Sequence, residues 1–257
     1  MVFSSRIFHH DDLRVLLRLG GAARGSAMSA QKLGAGVHTL LFDLDGTLID
    51  SAPDLTFAAN KMLSALGYPP VNCSQVKGWV GDGVGSLVRR ALTTILGDVP
   101  AESLIEQSYV LFQRYYAESV YQDSTLYPGV HETLQTLKSS GLALACVTNK
   151  PSRFTKLLLE KSGLTGFFGA VVSGDDLSLK KPDPAPLEFA AEQLGVPLTA
   201  CVLVGDSTND IRAAGAAGIP VLWATYGYAG RDDIEQDATH GAIDTIFQLC
   251  ECLQVAG

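Results

Sequence analysis

From residue 127 onward the sequence alternates short apolar runs with amphipathic stretches of helical length. "LALACVTN", "GAVVSG", "ACVLVGD" and "IPVLWA" read as buried strands, and residues 152–162, 185–194 and 208–217 between them read as helices. Strands separated in this way cannot pair as hairpins. They must run parallel, joined by crossover helices that cover the sheet. A further apolar run at residues 37–42 has the same buried character. The pattern predicts an α/β protein: a Rossmann-like, doubly wound parallel sheet whose first strand lies far upstream of the rest.

What separates that strand from the others is of another kind. "DSAPDLTFAANKMLSALG" opens with Asp50 or Ser51 as a helix cap and Pro53 in the first turn. Leu55, Ala59, Met62, Leu63 and Leu66 then share one helical face, and Gly67 closes it. Two more helical patterns follow at about 84–96 and 101–120, with no strand between them. Residues 51–126 are therefore expected to form an all-helical cap domain, inserted into a core made of residues 36–50 and 127–257.

Residues 1–35 carry arginines but no apolar segment of signal-peptide length, and Asp11 and Asp12 count against a transit peptide. They are read as a flexible N-terminal extension, with Met28 a natural start. His9 and His10 on such a tail are not expected to hold a metal. The formal charge of −8 argues against a nucleic-acid-binding surface, which shows as a basic stripe. No apolar run is long enough to span a membrane. Five scattered cysteines do not form a disulfide framework, and the CxC at Cys250 and Cys252 lacks partner ligands, so a cytoplasmic location is expected.

Ligands of open α/β sheets bind outside the carboxyl ends of the strands. Three strand ends in this sequence are polar. The first, "DLDGT", holds Asp43 and Asp45; the second holds Thr148 and Asn149; the third holds Asp206, Ser207 and Asp210. A loop between the last two, "DDLSLKKPDP", holds Lys180 and Lys181. Each has a bland reading by itself: a helix cap, a strand end, a solvated loop. The bland readings fail for the set, because all these groups fall at one edge of the sheet. Clustered carboxylates repel one another and call for a cation, and an all-oxygen site suits a hard one such as Mg²⁺, which also pairs with phosphate oxygens.

"DLDGT", "VTN", "KKPDP" and "GDSTND", in that order, resemble the four motifs of haloacid-dehalogenase-type phosphohydrolases. The likeness runs from residue 37 to the C-terminus. Within that superfamily "GWVGDG", "LYPGV", "VTNKPSRFT", "GDSTNDIRAAGAAG" and "YGY" resemble phosphoglycolate phosphatases. The resemblance implies that Asp43 is the nucleophile and forms an aspartyl-phosphate, and that Asp45 is the acid and base. It implies that Thr148 binds phosphate, with Asn149 beside it, and that Lys181 steadies the transferring group, with Lys180 the alternative. It also implies a Mg²⁺ site of Asp43, Asp206, Asp210 and Asp45, the last through its backbone carbonyl.

The implied substrate is a small phosphorylated metabolite, first of all 2-phosphoglycolate, acted on by a monomer or homodimer. The alternatives are a phosphatase for a sugar phosphate or pyrophosphate, a β-phosphoglucomutase-like phosphotransferase, and a phospho-receiver signalling domain. In the cap, Trp79 of "GWVGDG" is read equally as substrate contact or as core, and Arg89 or Arg90 as a partner for a substrate carboxylate.

Overall fold

The computed structural model describes residues 36–230, Ile234 and residues 239–253. The expected N-terminal extension, with His9 and His10, lies outside them. Six strands form one sheet in the order β5-β4-β1-β6-β7-β8, and every pairing in it is parallel. They are β1 (Thr39–Phe42), β4 (Ala143–Val147), β5 (Ala170–Val172), β6 (Cys201–Gly205), β7 (Val221–Ala224) and β8 (Gly241–Ile243). β1 lies in the middle, with Leu41 level with Ala145 of β4 and Leu203 of β6. The three strands end nearly in step, so the turns that follow them open onto one edge.

Strand alternation sorts the side chains between two cores. Leu40 and Phe42 of β1 face one, with Leu144, Cys146, Val202 and Val204. Leu41 faces the other, with Ala145, Val147 and Leu203. Helices α5 (Val130–Ser139) and α6 (Ser152–Lys161) cover the first face through Leu134, Leu137, Phe154 and Leu158. Helices α7 (Ala185–Leu194) and α8 (Thr208–Ala217) cover the second through Leu187, Ala190, Ile211 and Ala213. Each fully buried Leu or Phe contributes about 1.5–3 kcal/mol. The sheet is doubly wound, as its sequence pattern predicts. A last short helix, α9 (Gln248–Cys252), carries the CxC pair.

Four helices stand between β1 and the rest of the sheet: α1 (Ala52–Ala65), α2 (Cys73–Lys77), α3 (Val84–Leu96) and α4 (Glu102–Ser119). Their buried residues, among them Leu63, Val88 and Phe112, join the same apolar cluster as Leu40 and Phe42. The segment is not wholly helical. Its entry, β2 (Ile49–Asp50), pairs antiparallel with its exit, β3 (Thr125–Leu126). Two-residue strands are too short to show a period, so the sequence pattern misses them.

A second feature ties the exit to the entry. Asp54, fully buried in the first turn of α1, accepts hydrogen bonds from the backbone N–H groups of Gln122, Asp123 and Ser124, and from the Ser124 hydroxyl. The expected cap of α1 by the Ser51 side chain is not made. That hydroxyl bonds Asp45 instead, at 2.5 Å.

Candidate active site

Asp43 directly follows β1 and is still extended, its N–H bonded to the carbonyl of Val204 at 2.9 Å. The chain then folds back: Leu44 turns inward and is fully buried, and its carbonyl accepts from Leu48 and Ile49 at 3.0 Å each. Gly46 makes this turn possible for two reasons. Its φ is +90°, where a side chain is strained, and a Cβ there would run into the carboxylate of Asp206. Thr47 then donates its hydroxyl to Asp206 Oδ1 at 2.9 Å.

Three acids converge at this edge. Carboxylate oxygens of Asp43, Asp206 and Asp210 lie within 4.8 Å of one another, and all three residues are buried. Lys181 is buried among them. Its ammonium donates to Asp43 Oδ1 at 2.8 Å, to Asp210 Oδ1 at 2.7 Å and to the carbonyl of Val147 at 2.6 Å. Those acceptors use all three of its protons. Lys180, by contrast, is exposed and reaches only the carbonyl of Asp82, at 3.3 Å. Of the two lysines, Lys181 is the one placed among the acids.

Asp210 also closes a capping box with Ser207 at the start of α8, accepting from its N–H at 3.0 Å and its hydroxyl at 2.6 Å. One of its oxygens therefore holds the helix and the other holds Lys181. Asp206 Oδ2 accepts from the Tyr228 N–H at 2.8 Å.

Burial pushes Asp43 up to about 7; Lys181 opposes this and Asp210 adds to it. Asp206 is raised well above the ordinary range, first by burial and then by Asp43 and Asp210. Burial would lower Lys181, but Asp210 and Asp43 more than reverse this and leave it raised. One ammonium faces three buried carboxylates, so full ionisation leaves two negative charges uncompensated. A divalent cation with oxygen ligands fits that deficit in both charge and donor type.

The side chain of Asp45 stands apart from this cluster. Both its oxygens accept from the Lys150 ammonium at 3.0 Å, and one accepts from Ser51. As a side chain it is therefore not part of the cation cluster; any share in it falls to its backbone carbonyl. Lys150 is the functional candidate that the sequence reading passes over. It is only 5% exposed, and its ammonium lies 4.7 Å from the ring centre of Tyr116 on α4. Burial would lower its pKa, but Asp45 beside it leaves it raised. The only sequence signal is that it follows "VTN" at a strand end, and a single lysine there reads as solvated.

Thr148 and Asn149 are buried, and both line a narrow cavity of about 30 Å³ that reaches Asp43 and Asp45. The Thr148 hydroxyl accepts from the Lys150 N–H at 3.2 Å. The Asn149 amide donates to the carbonyls of Gly81, at 2.8 Å, and Lys181, at 2.7 Å, so it fastens the loop between α2 and α3 to the core. Asn209 does the same from α8, donating to Asp82 Oδ1 at 2.7 Å and to the Gly81 carbonyl at 3.3 Å.

Trp79 does not line the cavity. Its ring packs against the larger apolar core, and the cavity wall is formed by Leu55, Val80, Val84 and Leu87. Of the two readings of Trp79 the structure shows packing against the core, with its neighbours Val80 and Gly81 on the cavity face. Arg89 forms an exposed ion pair with Glu102. Arg90 binds Asp82 and the Trp79 carbonyl, and lines a second, wider cleft of about 320 Å³ that reaches Asp43 and Asp206.

A sequence profile of the haloacid dehalogenase-like hydrolases matches residues 40–224. A phosphoglycolate phosphatase of Nitrosococcus oceani is 41% identical over 84% of this chain and 96% of its own length. One from Nitrosospira multiformis is 42% identical over 85% and 96%. Among solved structures, a predicted phosphoglycolate phosphatase from Haemophilus somnus superposes with a TM-score of 0.79 at 34% identity, covering 84% of this chain and 98% of that one.

Proposed function

Because the chain belongs to the haloacid dehalogenase-like hydrolase family, we propose that it is a Mg²⁺-dependent phosphatase that hydrolyses 2-phosphoglycolate to glycolate and phosphate. The observation that carries this reading is the pair Asp43 and Asp45. They lie two residues apart, yet one is wired to Lys181 and the acid cluster and the other to Lys150. Two carboxylates in different environments suit two different roles. The names of the relatives support the substrate.

In this mechanism a carboxylate oxygen of Asp43 attacks phosphorus in line and forms the aspartyl-phosphate as the ester P–O bond breaks. Asp45, in its acid form, gives its proton to the leaving glycolate oxygen. It then takes a proton from the water that attacks the phosphoryl group and releases phosphate and free Asp43. Thr148 holds a phosphoryl oxygen, and Lys181, bonded to Asp43, steadies the nucleophile and adds positive charge beside the transferring group. Asp210 acts through Lys181, keeping it turned toward Asp43. Asp43, Asp206, Asp210 and the Asp45 carbonyl would hold Mg²⁺, which when bound screens the nucleophile from the phosphate dianion and draws charge from the transferring group.

The helices over residues 51–126 act in this reading as a cap over the core. The five cysteines, all unpaired, suit the reducing cytoplasm, where we place the protein. A panel of small phosphate esters ranked by kcat/KM with Mg²⁺ tests the proposal. 2-Phosphoglycolate is expected to lead, with one free phosphate per ester consumed. A sugar phosphate or pyrophosphate ahead of it would overturn the substrate. Return of the phosphoryl group to a sugar would indicate a phosphotransferase, and absence of turnover with p-nitrophenyl phosphate a receiver domain.

A further inference from the structure

Resting on the phosphatase reading, we infer that Lys150 is the specificity-determining residue, binding the anionic end of the leaving group and so selecting phosphate esters that carry a carboxylate. Four observations lead to it. Lys150 lines the narrow cavity that Asp43, Asp45 and Thr148 also face. The rest of that cavity is mostly apolar wall or glycine backbone, with no other side-chain cation, since Lys181 lies outside the lining.

Lys181 has no proton to spare, whereas the Lys150 ammonium bonds Asp45 and otherwise faces Tyr116. Of the other cations near the site, Lys77 is held by Asp50 and Arg90 by Asp82, while Lys180 is exposed and reaches the Asp82 carbonyl.

Chain length in the substrate makes the placement specific. Asp45 must stand within hydrogen-bond reach of the leaving oxygen, about 2.6–3.2 Å. In a two-carbon acid ester the carboxylate carbon lies only two bonds from that oxygen. A group that reads the carboxylate must therefore sit beside Asp45, and Lys150 sits 3.0 Å from both of its oxygens. An incoming carboxylate competes with Asp45 for the same ammonium. Substrate entry thereby loosens the ion pair and frees Asp45 for the leaving oxygen. An ester with a neutral end leaves the pair intact and lacks that binding.

The test compares 2-phosphoglycolate with 2-hydroxyethyl phosphate, which replaces the carboxylate by a neutral CH₂OH. Because Lys150 also bonds Asp45, K150M is expected to slow both esters. The ratio of their kcat/KM values isolates the carboxylate. Wild type should favour the acid by about 100-fold, and K150M should cut that ratio by about 30-fold or more, mainly through KM, the size of one lost charge-assisted hydrogen bond. K150R should restore part of the ratio. K150Q repeats the measurement if K150M melts early.

A wild type that takes the acid and the alcohol alike overturns the inference, whatever the variants do. So does a K150M ratio within threefold of wild type. A wild type that prefers another phosphate-bearing acid overturns 2-phosphoglycolate as substrate but not the lysine, since that acid and its alcohol give the same ratio test.

Discussion

The carboxyl edge of the sheet and the helical segment above it face the same cavity but are built by opposite rules. On the sheet side nearly every group is charged or polar, buried and multiply bonded. Lys181 has three acceptors, Asp206 two donors, and Asp210 both a helix cap and an ion pair. On the helical side the cavity wall is aliphatic, and the polar contacts across the gap are a few hydrogen bonds from Asn149, Asn209 and Lys180 to Gly81 and Asp82.

A buried network holds reacting groups in place before substrate arrives, which is where catalysis by positioning and charge draws its energy. The loop between α2 and α3 is held to the sheet edge by a few hydrogen bonds, to the Gly81 and Asp82 carbonyls and the Asp82 carboxylate, while the helices themselves share the larger apolar core. In the proposed mechanism the sheet side carries the chemistry and the helices enclose it, with Lys150 where the two meet, under Tyr116.

Substitutions can break or sharpen that division. Asp43→Asn should cost the most, about 10⁴-fold or more in kcat, because it removes the nucleophile; activity within tenfold of wild type would remove the assignment. Asp45→Asn should slow esters with poor leaving groups by about 10²–10³-fold, and p-nitrophenyl phosphate much less in the first half-reaction. Pre-steady-state burst kinetics separate the two steps, and equal losses in both substrates' first step would argue against proton transfer.

A smaller effect concerns stability. Asp43 has a folded pKa raised to about 7 from an ordinary 3.8. In the cation-free protein its contribution to stability is complete below the ordinary value and is lost as pH rises toward 7. A bound divalent cation favours the ionised form. Mg²⁺ should therefore raise Tm more at pH 8 than at pH 5, and equal shifts in thermal melts would count against this cluster as the cation site.

The smallest change is expected on the helical side. Asn209→Ala removes two hydrogen bonds to the loop, worth about 1 kcal/mol together. KM should move about threefold, with kcat and the Mg²⁺ response unchanged. A loss of chemistry as large as that of Asp45→Asn would erase the contrast between the two sides.

Much of the sheet side is legible in the sequence. β1, β4, β6 and β7 announce themselves as apolar runs, and each polar strand end follows its run directly. The helices α1, α3 and α4 are also legible from their periods. What escapes is short or relational. β2 and β3 have two residues each, and β8 follows no clear apolar run. Asp54 looks like an ordinary first-turn acid until the backbone of residues 122–124 comes back to it. Trp79 reads equally as substrate contact or as core in the sequence, and only the fold shows it against the core with its neighbours Val80 and Gly81 lining the cavity.

Taken alone, the sequence determined the fold class, the helical insertion, and the set of acids, hydroxyls and lysines available at one edge. These are written in local periodicity and local order, since burial on one face leaves its mark on neighbouring residues. Only the tertiary structure put Lys181 rather than Lys180 among the acids, turned the Asp45 carboxylate away from the acid cluster, and brought Lys150 and Tyr116 to its side. Those choices depend on strand order, on register and on which way each turn points. Residues 43, 150, 181 and 206 become neighbours only when the crossovers place β1 between β4 and β6, and no local pattern encodes that distance.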